Sequence, residues 1–196
     1  MGFTSSAPSS DARNVGFLRL ALSGEAGLLL LAWGLARWLQ VSPLSVLQPT
    51  LTGLILGVAA TVPLLVALVW MLRSSWSPVR RLVVLVTELV GALVAGRSLV
   101  ALGALALLAG VSEEILFRGV IQQALTRWLP SGLAMVAASA LFGLVHFASR
   151  AYAVFAAIMG LYLGTLFVIT GNLFAPIVAH AAYDFVALVW LARGHD

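Results

Sequence analysis

Apolar residues run along this chain in stretches of about 17 to 25, separated by short segments that carry proline, glycine or arginine. Stretches of that length suit helices that cross a bilayer, and seven follow: 15–39, 51–72, 81–95, 98–128, 132–147, 152–169 and 174–191. The third is short for a full span, so six to seven crossings are expected. Pro43, Pro49, Pro78, Pro130 and the pair Gly171-Asn172 supply the breaks. The expected fold is an all-α, polytopic membrane helix bundle. Residues 1–14 form a small, polar, serine-rich segment expected to be a disordered tail, and 15–196 a single membrane domain. Gly2 and Ser6 fit a myristoylation pattern, which is discounted because one acyl chain adds little to a multi-span protein. The first apolar run is too long for a signal peptide, carries Glu25 and Arg37, and lacks a convincing small-residue cleavage site.

Composition sharpens this picture. The 196 residues are 62% hydrophobic and 9% charged, against about 45–50% apolar and about 25% charged in soluble domains. The net charge of +4 comes from eleven arginines without a lysine, several of them in the breaks between apolar runs. No basic face is left for nucleic acid. With no cysteine, disulfides and thiolate metal sites are excluded. With the N-terminus cytoplasmic, Arg13, Arg19, Arg73, Arg80, Arg81 and Arg127 fall inside and Arg37, Arg97, Arg150 and Arg193 outside, the arrangement favoured by the positive-inside rule. Gly53/Gly57 and Gly160/Gly164 form GxxxG pairs that let helices approach closely. No internal repeat of the transporter kind is visible.

Against this background Glu113, Glu114 and Arg118 stand out, in LVALGALALLAGVSEEILFRGVIQQAL. Three charges at the centre of a membrane helix cost on the order of 8 kcal/mol if unpaired, which points to the interior of a bundle. His146 closes the fifth run, and His180 and Asp184 lie one turn apart on the seventh. At 100° per residue, residues four apart differ by about 40°, so Glu114 faces Arg118 and His180 faces Asp184. Glu113 is rotated about 100° from Glu114 and about 140° from Arg118, so the two glutamates are expected to have different neighbours. Glu114 is then a structural partner of Arg118, and Glu113 is left to face His146 and His180. A buried carboxylate beside two imidazoles is suited to activating water. Each residue alone has a duller role: a histidine bonded to a backbone carbonyl, a helix-stabilising ion pair, a polar contact between helices. Together, at membrane depth on three helices, they argue for a functional pocket.

The order Glu-Glu-x-x-x-Arg, Phe-x-x-x-His, His-x-x-x-Asn/Asp, here Glu113 to Arg118, Phe142 to His146 and His180 to Asp184, resembles the signature of the CPBP intramembrane proteases. That family includes type II CAAX prenyl endopeptidases and bacterial Abi or bacteriocin-processing proteins. The motifs cover residues 110–184, and 98–191 would be the catalytic core. The resemblance implies peptide-bond hydrolysis within the membrane, with Glu113 as general base, His146 as its partner, and His180 and Asp184 stabilising the oxyanion. Many members carry asparagine where this chain has Asp184. An ionised aspartate donates no hydrogen bond, so Asp184 is either protonated or differently employed.

The family is often labelled metal-dependent, and Glu113, His146 and His180 are acceptable zinc ligands. The His-Glu-x-x-His pair usual for zinc is missing, and a metal-free glutamate mechanism fits the same residues. The lysine-free composition resembles that of a GC-rich bacterium, so the inner membrane is the expected location, with a membrane-anchored or hydrophobic peptide as substrate and lipid as surroundings. Two other classes place the same residues at mid-membrane: a proton- or metal-ion-coupled transporter, and a non-catalytic immunity or scaffold protein.

Overall fold

The computed structural model describes residues 10–194. Among them are seven helices and no strand: α1 (Ser10–Leu39), α2 (Leu51–Arg73), α3 (Ser77–Val94), α4 (Leu99–Leu125), α5 (Ser131–Val145), α6 (Arg150–Thr170) and α7 (Phe174–Arg193). A 3₁₀ turn, Pro43–Val46, precedes α2. Residues 1–9 of the expected polar tail lie outside the described part, and α1 begins at Ser10. Five helices, α1, α2, α4, α6 and α7, are long and apolar enough to cross a membrane. α5 is apolar but shorter, and α3, which opens with Arg80 and Arg81 in its first turns, starts four residues earlier than its apolar run. The protein is therefore an integral, multi-pass membrane protein of helical-bundle architecture.

The helix ends follow from local chemistry. Thr50, Ser98 and Ser149 each accept a backbone N–H of the following first turn, from Gly53, Ala101 and Tyr152, at 3.1–3.2 Å. α6 stops at Gly171, whose left-handed φ of 61° suits a residue without a Cβ. Trp33, Trp38, Trp70, Trp76 and Trp128 are exposed, four of them near helix ends, as aromatic belts at membrane interfaces require. The remaining outer surface is largely leucine, valine and isoleucine.

Both GxxxG pairs lie at helix contacts. A Cβ on Gly57 would stand 2.6 Å from Val178 Cβ and one on Gly53 2.9 Å from Asn172 Nδ2, which joins α2 to α7 and the loop before it. Gly160 and Gly164 lie against Ser139 and Met135 of α5. α4 passes equally close to α7, where a Cβ on Gly110 would come within 2.9 Å of the Ala181 nitrogen. This contact keeps His180, next to Ala181, beside Glu113 and Glu114. Gly110→Val is expected to lower stability by about 1–3 kcal/mol through overpacking, read as an earlier midpoint of SDS-induced unfolding. Gly132→Ala, whose added carbon meets nothing within 4 Å, should leave the midpoint close to wild type.

Candidate active site

α4 changes character directly after Glu114. It is α-helical through Glu114 and π-helical from Ile115 to Gln122 before a last α turn. A π segment widens the helix and often marks a functional site. It turns a face of Arg118 and Gln122 toward α6. Arg118 Nη2 donates to the Gly160 carbonyl at 2.9 Å and Gln122 Nε2 to that of Gly164 at 3.5 Å. The second GxxxG pair thus presents accessible carbonyls as well as a close-packed surface.

The expected ion pair is present. Arg118 Nη1 lies 2.6 Å from Glu114 Oε1, and both residues are almost completely buried. The guanidinium also lies over the Phe142 ring, 4.9 Å from its centroid. Phe142 in turn packs edge-on against Phe117 and lies 4.4 Å, ring to ring, from His146. The aromatic residue of the second motif is the platform that separates the arginine from the histidine.

His146 ends α5, and its Nδ1 is 2.8 Å from the Phe142 carbonyl. A carbonyl only accepts, so Nδ1 carries the proton and Nε2 points elsewhere. It points at Glu113, with Nε2 3.8 Å from Oε1. The bond to a backbone carbonyl, a common structural use of histidine, here orients the ring toward a carboxylate.

His180 lies between the two glutamates: Nδ1 is 2.9 Å from Glu114 Oε1, while Nε2 is 3.9 Å from Glu113 Oε2 and 3.5 Å from Asp184 Oδ2. The expectation that Glu113 and Glu114 have different neighbours is corrected here. Helical phase separates the carboxylates, but an imidazole has a nitrogen on each edge, and His180 bonds Glu114 with one and faces Glu113 across 3.9 Å with the other. All six residues singled out from sequence, Glu113, Glu114, Arg118, His146, His180 and Asp184, come together in one cluster.

The cluster opens into a cavity of about 320 Å³ bounded by side chains from every helix. Its walls are mostly apolar, with Leu68 of α2, Val86 of α3 and Leu105 of α4 among them, and Glu113, His146, His180 and Asp184 form its polar part. Glu25 of α1 and Tyr152 of α6 also face it. Sequence reasoning passed over both, although an acid within an apolar run is a signal that could have found Glu25. No three Asp, Glu or His side chains among the described residues converge so as to hold a metal ion. Glu113 offers a different oxygen to each histidine, at 3.8 and 3.9 Å.

Arg118→Met removes the donors to Glu114 and Gly160 and leaves a buried carboxylate held by His180 alone. A loss of about 3–5 kcal/mol is expected, measured as reduced resistance to SDS unfolding.

With this geometry in place, residues 95–186 match the family model of Rce1-like type II CAAX prenyl endopeptidases. The matched segment contains all three motifs. No curated protein and no solved structure matches the chain.

Proposed function

From the Rce1-like character of residues 95–186, we infer that the protein is an intramembrane endopeptidase in which Glu113 activates water to cleave a membrane-anchored or hydrophobic peptide. The observation that carries this reading is the pair of acceptors converging on one point. Glu113 Oε1 and His146 Nε2 stand 3.8 Å apart, too far for a direct hydrogen bond but close enough for one water at about 2.8 Å from each.

Water donating to Glu113 and His146 turns a lone pair toward a carbonyl carbon placed in the cavity. Glu113 takes the water proton as the C–O bond forms, and the carbonyl oxygen becomes an oxyanion. His180, in its protonated form, is held at Nδ1 by Glu114 and offers an N–H at Nε2 to that oxyanion. Arg118, 2.6 Å from Glu114 Oε1, holds that carboxylate in place. Asp184 lies 3.5 Å from the same Nε2, which supports a role in orienting His180 over direct donation to the oxyanion, so an acidic residue serves where asparagine is frequent. As the C–N bond breaks, the proton on Glu113 passes to the departing amine.

The apolar walls favour a substrate that reaches the site from within the bilayer, and a bacterial inner membrane remains the proposed location. In this reading the residues offer a base, two acceptors for a water and an oxyanion donor, and none of these steps uses a metal.

The test is cleavage of a panel of membrane-anchored peptides by purified protein in liposomes. Glu113→Gln is expected to lower kcat by about 10²–10⁴-fold, with binding retained. Undiminished cleavage by that variant would overturn the assignment of the base. In a second measurement, chelation is expected to leave the wild-type rate unchanged; loss on chelation, restored by zinc, would replace this mechanism with a metal-dependent one.

A further inference from the structure

Glu25 lies seven residues into the span Leu18–Leu39, about 10 Å along its axis. An ionisable side chain at such a depth carries a cost and calls for a function. It falls outside residues 95–186 and outside the three motifs. Its carboxylate borders the cavity that contains Glu113, His146, His180 and Asp184. Oε2 accepts the hydroxyl of Ser112 at 2.5 Å. Ser112 is completely buried and immediately precedes Glu113. Its Oγ has a second acceptor within reach, the Ala109 carbonyl of its own helix at 3.2 Å. A hydroxyl has one proton, and the shorter contact is the one to Glu25.

The rest of α1 fits this contact. Ala32 and Ala36 are seven and eleven residues after Glu25, within about 20° of the same helix face. Both are buried against Leu116, Phe117 and Val120, in the π-helical part of α4. One face of α1 therefore meets α4 on both sides of the point where it changes from α to π, with small side chains below and a carboxylate above.

We propose that Glu25 is a positioning residue for the reaction: by holding Ser112 from across the α1–α4 contact, it sets the last α turn of α4 and with it the direction of Glu113. Without Glu25 the hydroxyl returns to the Ala109 carbonyl, a back-bond that bends helices, one residue from the base. This role rests on the endopeptidase reading and adds to the site a helix outside the matched segment.

The experiment compares wild type, Glu25→Gln, Glu25→Leu, Ser112→Ala and the Leu/Ala double variant in liposomes. Glutamine keeps an oxygen acceptor and should retain at least half of kcat. Leucine at 25 and alanine at 112 should each lower kcat about tenfold with KM unchanged, and the double variant should be no worse than Glu25→Leu. Wild-type kcat in Glu25→Leu, multiplying losses in the double variant, or a changed KM at constant kcat would each overturn the proposal. A fold defect is recognised by SDS unfolding, and Ser112→Ala tests the contact with the acid still in place. A readout independent of turnover is the set of ¹⁵N imidazole signals of His146 and His180, expected to move in Glu25→Leu and Ser112→Ala and to stay in Glu25→Gln. Signals that do so while the wild type cleaves no peptide would sink the endopeptidase reading and keep the positioning role; cleavage with unmoved signals would do the reverse.

Discussion

The arrangement of the whole C-terminal half depends on one buried carboxylate. Glu114 is withdrawn from solvent, and its Oε1 accepts from Arg118 of its own helix and from His180 of α7. An isolated carboxylate in such a setting is strongly disfavoured, whereas one held by charge-assisted bonds is a fixed point. Arg118 extends the connection to the Gly160 carbonyl on α6 and the Phe142 ring on α5. Four helices thus take their positions from a single charge. Oε2 of the same group has no hydrogen-bond partner among the described residues, so the tether relies on one oxygen.

The division of labour between the adjacent glutamates follows from this. Glu114 is held at Oε1 by two close donors, while the imidazole nitrogens facing Glu113 stand off at 3.8 and 3.9 Å. The first arrangement stabilises a structure. The second leaves oxygen lone pairs directed toward a cavity, the disposition that the proposed role of a base calls for. His180 couples the two, because the bond that holds its Nδ1 also fixes where its Nε2 points.

Much of this was legible in the sequence, for identifiable reasons. Helix positions followed from apolar runs whose length the bilayer dictates, and the pairing of Glu114 with Arg118 from a spacing of four. The convergence of His146 and His180 on Glu113 was expected from phase and from the cost of burying charge. Other features depend on through-space contacts that no local pattern encodes. The π turn after Glu114 arises where Arg118 and Gln122 reach carbonyls on α6. The contact between Ser112 and Glu25 joins residues 87 positions apart. His180 facing both glutamates could not be read from rotation angles, which describe where a side chain leaves its helix and not how many edges its ring presents.

The place of His146 at the end of α5 has a consequence for supply. Hydrolysis consumes a water molecule for each bond, and hydrocarbon provides almost none. His146 is a quarter exposed where its helix stops and the chain turns toward α6, while Arg118 and Glu114 behind it are sealed. In the proposed reaction water would enter at this helix end, beside Glu113, and the peptide from the apolar side of the cavity. Two phases would meet at one imidazole, and under the proposed hydrolysis the hydration of that corner would help set the pace.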